Sequence, residues 1–118
     1  MKKLKNIHPG EILLEEFLKP LFISQYQLAM DLGIPQSRVS QIIKGNRRIT
    51  ADTALRIAQY FGNSAKFWLG LQDDFDLEEE KEAMEYLLKT IPKAPKRPGT
   101  TNRRYWARKI KERQKYIF

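Results

Sequence analysis

The sequence predicts an all-α protein: a five-helix domain built on a helix-turn-helix over residues 7–91, then a basic C-terminal extension over residues 92–118. Three observations predict it. Apolar residues recur at the three- and four-residue spacing of an amphipathic helix in five successive stretches. Serine, threonine, glycine and proline stand between those stretches, where helices start and stop. The segment SQYQLAMDLGIPQSRVSQIIKG, residues 24–45, reads as two short helices joined by a tight turn at Gly33–Pro35. A chain of 118 residues suffices for one compact domain plus such an extension.

The first predicted helix, EILLEEFLKPL, follows Pro9 and Gly10, and Leu14, Phe17, Leu18 and Leu21 form its apolar stripe. Glu11, Glu15 and Glu16 occupy early turns, where acids complement the helix dipole, and Pro20 ends the helix near Lys19. Ser24 is the N-cap of the second helix, which buries Leu28, Ala29 and Leu32; Ala29 is small enough for the next helix to cross closely. Gly33 supplies the left-handed backbone of a sharp helix exit. Ile34 fills the corner, and the third helix runs from Pro35 to Lys44 and stops at Gly45. Thr50 caps the fourth, ADTALRIAQYF, which buries Ala54, Leu55, Ala58 and Phe61 and ends at Gly62. Ser64 caps the fifth, AKFWLGLQDDFDL. Its stripe of Phe67, Trp68, Leu71 and Phe75 belongs to the core or to a dimer interface, and these four are the candidate interface residues.

The third helix carries the candidate chemistry. Gln36, Ser37, Arg38, Ser40 and Gln41 surround its apolar positions Val39, Ile42 and Ile43. In a repressor-type helix-turn-helix the N-terminal half of this helix enters the major groove, and the preceding helix crosses the DNA backbone. Glutamine suits adenine N6 and N7, arginine suits guanine O6 and N7, and serine suits either, so these five are candidate base contacts. Ser24 and Gln25 open the second helix, where N–H groups and a polar side chain hold a phosphate. Lys44, Arg47 and Arg48 cluster beyond the far end as candidate phosphate clamps. One such domain covers roughly 600–1,000 Å² of interface, so a two-fold dimer on half-sites about 34 Å apart is expected.

The net charge of +8 belongs to the tail. Residues 92–118 hold ten Lys or Arg and one acid, giving +9 there and −1 over residues 1–91. High overall charge is therefore no argument that the helix-turn-helix itself binds DNA. Eight acids between Asp73 and Glu85 form a solvated helix face, or a docking face for a basic partner or for the chain's own basic tail; no mid-loop glycine makes them a calcium loop. With no cysteine and the single histidine His8, the chain offers no disulfide, no thiolate zinc site and no multi-histidine metal site, and no cofactor is expected. No nucleophile–base pair or phosphate-cradling glycine loop is present, so enzymatic activity is not expected. His8 is expected to cap the first helix or lie on the surface. The opening MKKLKNIHPGE has no long apolar run behind it, and no stretch is long enough to cross a membrane, so a cytoplasmic location is the default. PKAPKRPG reads as a linker or strap, and the basic segment after it carries a weak helical stripe of Trp106, Ile110 and Ile117.

Residues 7–77, from HPGEILLEEFLKPL through SQYQLAMDLGIPQSRVSQIIKGNRRITADTALRIAQYFGNSAKFWLGLQDDFDL, resemble the HigA antitoxins of toxin–antitoxin modules. These are also called the VapI-like group of Cro/C1-type (lambda repressor-like) helix-turn-helix proteins. The HPGE start, the RRITADTALR segment and the FWLGLQ segment occur together and in order. The resemblance implies a cytoplasmic homodimer that binds an operator in its own promoter. It also implies a protein partner, a HigB-type toxin that cleaves messenger RNA on the ribosome and that the antitoxin neutralises. The family's recognition positions fall on Gln36, Ser37, Arg38, Ser40 and Gln41. A stand-alone transcription regulator without a toxin is the alternative. Residues 92–118 have no counterpart in the family pattern.

Overall fold

The computed structural model describes residues 5–95 and 103–114, and every element among them is helical. Lys96, Arg97, Lys115 and Ile117 of the basic tail lie outside the described residues. The chain divides into two compact units, Met1–Glu85 and Tyr86–Phe118, a boundary ahead of the one expected after residue 91.

In the first unit, α1 (Pro9–Ile12) passes directly into a π-helical segment, Leu13–Leu18. The helix begins earlier than expected. His8 is its N-cap, its Nδ1 accepting the Gly10 N–H at 2.9 Å, and Pro9 takes the first helical position, where its missing N–H costs nothing. In the π turn the Lys19 N–H reaches back five residues to the Leu14 carbonyl, at 3.0 Å. This shifts the apolar register. Residues five apart lie about 140° apart on an α-helix, but the wider turn brings Leu13 and Leu18 to the same side, and both are buried. Leu14 and Phe17 pack at the edge of the core. Leu21, expected in the stripe, lies past the helix end and is exposed.

α2 (Gln25–Leu32) and α3 (Gln36–Ile43) form the expected corner. The Ser24 Oγ accepts the Gln27 N–H at 3.0 Å. Gly33 has φ +69°, its N–H donates to the Met30 carbonyl, and the Ile34 N–H donates to the Ala29 carbonyl. These two bonds close the helix end as a Schellman motif and seat Ile34 in the core. Pro35 stands just before α3, as its N-cap.

α4 (Ala51–Phe61) starts at Thr50, but the Thr50 hydroxyl makes no capping bond. The buried face of α4 is Thr53, Ala54, Ile57 and Ala58. Leu55, expected inside, is 63% exposed because the face that meets the core runs through Ile57 instead, and Phe61 is half-buried. α5 (Ala65–Ala83) is capped by the Ser64 Oγ, which accepts the Phe67 N–H at 3.0 Å. Trp68 is wholly buried. Its indole N–H donates to the Asn63 Oδ1 at 2.9 Å, and its ring centre lies 5.0 Å from those of Phe17 and Phe67. It is a core residue of the monomer, with no surface to offer a dimer interface. α1 packs on α3 and α5, α2 on α3 and α4, and α4 on α5.

The second unit contains α6 (Glu85–Thr90), which starts at the boundary, and α7 (Arg103–Gln114). Neither helix buries a residue.

Candidate nucleic-acid interface

α3 is held from behind by α1. A Cβ on Gly10 would lie 1.8 Å from the Ile42 carbonyl oxygen and 2.9 Å from the Ile43 Cα, so backbone rests on backbone at this crossing. The His8 ring lies beside Gly45, at the exit of α3, and meets Phe75 of α5 edge-on at 4.9 Å. The start of α1, the end of α3 and the middle of α5 thus converge.

With Val39 and Ile42 buried and Ile43 half-buried, α3 turns Gln36, Ser37, Gln41 and Lys44 to solvent, with Ser40 half-buried among them. On a helix these positions fall within one arc of about 140°. Arg38 points away from that arc. Its Nη1 lies 3.3 Å from the Asp52 Oδ1, which also accepts the Arg56 Nε–H at 2.9 Å. The other Arg56 contact, Nη1–H to the Leu32 carbonyl at 2.7 Å, ties α4 to the end of α2. Arg47 donates to the Gln41 Oε1 at 3.1 Å and orients that side chain. Arg48 pairs with Asp76 at 2.8 Å. Partly exposed pairs of this kind contribute about 1 kcal/mol or less, so Arg38 and Arg48 can exchange them for other partners at small cost. Ser24 and Gln25 sit at the start of α2, the former with its oxygen engaged in the cap and the latter half-buried. Of the four candidate interface residues on α5, Phe67 is exposed, while Leu71 and Phe75 are half-buried.

Sequence reasoning missed the residues that hold the loop after α3. Gln72 is buried on α5. Its Oε1 accepts the Ile49 N–H at 2.7 Å, and its Nε2–H donates to the Asp76 Oδ1 at 2.9 Å. The Asn6 Nδ2–H donates to the Phe75 carbonyl and to Glu79, both at 3.0 Å. Asp76 and Glu79, from the acidic run, are therefore committed to internal bonds. The available signal was Gln72 itself, four residues after Trp68 and so on the core side of the helix, where a polar side chain must find partners.

Burial would raise the Asp76 carboxyl, but hydrogen bonds from Arg48 and Gln72 and the charges of Arg48 and His8 together hold it below its ordinary value. Burial lowers His8, and the nearby Asp76 offsets part of that. The cap bond requires Nδ1 to be the unprotonated nitrogen, so the folded state favours neutral imidazole. Its contribution is complete above the unfolded value near 6.5 and is lost as pH falls through the lower folded value. Melting temperatures taken from pH 8 to pH 5 are expected to fall more steeply below pH 6.5 in the wild type than in His8→Asn, which keeps a capping oxygen and does not titrate. Parallel curves would refute the cap's pH dependence.

Among the described residues no group of three or more His, Cys, Asp or Glu is placed to hold a metal ion, and no helix is long and apolar enough to cross a membrane.

A corner of two helices whose second member is braced from behind and presents amides, hydroxyls and an amine outward defines a helix-turn-helix DNA-binding protein. The helix-turn-helix family HTH_3 matches residues 14–68, ending ahead of α6 and α7. Virulence-associated protein I of Dichelobacter nodosus is 46% identical over 89 residues, covering 73% of this chain and 82% of that protein. YbaQ of Escherichia coli K12, described as an uncharacterized HTH-type transcriptional regulator, is 41% identical over 80 residues, covering 68% and 71%. The solved structure of Pseudomonas aeruginosa antitoxin HigA with the higBA promoter superposes with a TM-score of 0.74 at 37% identity, covering 77% of this chain and 100% of that one. The chain belongs to the HigA, or VapI-like, family of Cro/C1-type helix-turn-helix antitoxins. This is a family of DNA-binding antitoxins and regulators, not of enzymes.

Proposed function

We propose that the protein is a cytoplasmic, dimeric antitoxin that binds an operator in its own promoter and neutralises a HigB-type toxin that cleaves messenger RNA. The observation that carries the DNA half is the exposed row of Gln36, Ser37, Gln41 and Lys44 on a helix whose back is pinned by α1. Gln36, Ser37, Ser40 and Gln41 read base edges, and Arg38 joins them when it leaves Asp52. Ser24, Gln25, Lys44, Arg47 and Arg48 hold phosphates. Phe67, exposed at the start of α5, contributes to the contact between the two copies, flanked by Leu71 and Phe75. The likeness to a HigA solved with its promoter supports the operator, and the family's antitoxins support the toxin.

The likeness to YbaQ favours a second reading, a regulator with no toxin. Two measurements test the pair. In gel-shift titrations Gln36→Ala is expected to cost roughly 1–3 kcal/mol per bound protomer at the operator and relax sequence preference, whereas Lys44→Ala weakens all duplexes alike and lowers the salt slope by about one per bound protomer. Operator affinity unchanged in Gln36→Ala would place the reading helix elsewhere. Co-expression with the product of the adjacent gene is expected to yield a co-purifying complex and restored growth. Growth arrest that the protein does not relieve, or no small basic partner, would leave the stand-alone regulator.

A further inference from the structure

α7 is a cationic helix that the helix-turn-helix does not account for. Arg103, Arg104, Arg108, Lys109, Lys111 and Arg113 are all exposed on it, against the one acid Glu112. Arg104, Arg108 and Lys111 follow at i, i+4 and i+7, so they line one face. The apolar residues Trp106 and Ile110 form only a narrow seam, too little to bury a helix in a lipid interface. The rest of the chain gives this row its meaning. Residues 1–91 carry a net charge of −1, so the helix-turn-helix portion brings no net positive charge to a polyanion. Most sequence-independent affinity for a duplex comes from cations that displace counterions from phosphates, and here they are concentrated in the C-terminal segment.

We propose that α7 is a second, sequence-independent contact to duplex DNA, laying Arg104, Arg108 and Lys111 along the phosphate backbone beside the site read by α3. The proposal rests on the operator-binding reading for the duplex on which both contacts act. Twelve residues separate the end of α6 at Thr90 from the start of α7 at Arg103, and a chain of that length reaches at most about 40 Å. That reach exceeds the roughly 34 Å of one DNA turn. Once α3 is docked, α7 meets the flanking backbone as a tethered partner at high effective concentration. α3 then supplies discrimination between sequences, and α7 supplies affinity and its salt dependence.

The test compares the full-length wild type with the triple variant Arg104→Gln, Arg108→Gln, Lys111→Gln. Glutamine keeps the helix propensity, and the three positions bury nothing, so equal melting temperatures are expected. Binding is measured from 50 to 200 mM salt on a duplex longer than the operator and on one of the same length with the operator scrambled. Three lost phosphate contacts per protomer lower the log–log salt slope by about 2.7 for each bound protomer, so the wild type should lose about 40-fold more affinity than the variant per protomer across that range. The loss is expected to be the same on both duplexes, leaving the ratio between them unchanged. An unchanged slope on both, or a loss confined to the operator, overturns the proposal. So does a loss of binding to an RNA hairpin or to phosphatidylserine vesicles with DNA binding intact. If the wild type does not distinguish operator from scrambled duplex, the operator reading fails, and the slope on the scrambled duplex still decides the role of α7.

Discussion

Gly10→Ala is expected to lose about 3 kcal/mol of stability and, with it, operator binding. The added methyl would stand 1.8 Å from the Ile42 carbonyl oxygen and 2.6 Å from its carbon. Both are backbone atoms, so no rotamer change relieves the clash. Either α1 lifts away, uncovering Leu13 and Leu18, or the end of α3 is pushed outward and its polar face changes angle. Overpacking costs typically 1–3 kcal/mol and more where nothing can yield, and about 3 kcal/mol lowers the melting temperature of a small domain by roughly 12–24 °C. Gly70→Ala is the matched control. It lies within α5, an added Cβ meets nothing within 4 Å, and helix propensity makes the change neutral or stabilising by up to about 1 kcal/mol. Thermal unfolding followed by circular dichroism, with operator titration on the same samples, checks the pair. Wild-type behaviour in Gly10→Ala would mean that α1 does not cross α3 at this point.

Trp68→Ala is expected to cost about 3–5 kcal/mol, the range for truncating a buried large aromatic. The substitution removes a ring in contact with Phe17, Phe61 and Phe67 and leaves the Asn63 Oδ1 without its donor. The loss belongs to each monomer, so it appears equally at low and high protein concentration. Phe67→Ala, at an exposed position, is expected to change association much more than monomer stability. Urea unfolding at two concentrations and sedimentation equilibrium separate the two. Undiminished stability in Trp68→Ala together with loss of the proposed self-association would return Trp68 to the interface and contradict its place in the core.

Much of this protein is legible in its sequence because much of it is local. Ser24 and Ser64 cap helices because a hydroxyl three residues ahead of an N–H can reach it. Gly33 turns the corner because that backbone angle excludes most side chains. Leu28, Ala29, Leu32, Val39 and Ile42 face inward, and Gln36, Ser37 and Gln41 outward, because α-helical spacing alone assigns the faces. Where the local rule changes, the assignment changes with it. The π turn exchanges Leu21 for Leu13 in the core.

The rest depends on which distant backbones come within a few ångströms. A helical aromatic stripe reads the same for a core as for an interface, and only the packing of Phe17 and Phe61 around Trp68 decides between them. Cations on and just after a recognition helix read as contacts to bases or phosphates, yet Arg38 and Arg48 rest on Asp52 and Asp76, 14 and 28 positions away. Gln72 satisfies the Ile49 N–H across 23 residues, and Gly10 is required by a carbonyl on another helix. The sequence by itself determined the helices, their caps and the outward polar face, since periodicity and backbone angles act over three or four residues. Tertiary structure decided what braces that face and which of its cations are already engaged, since those contacts exist only once the helices have crossed.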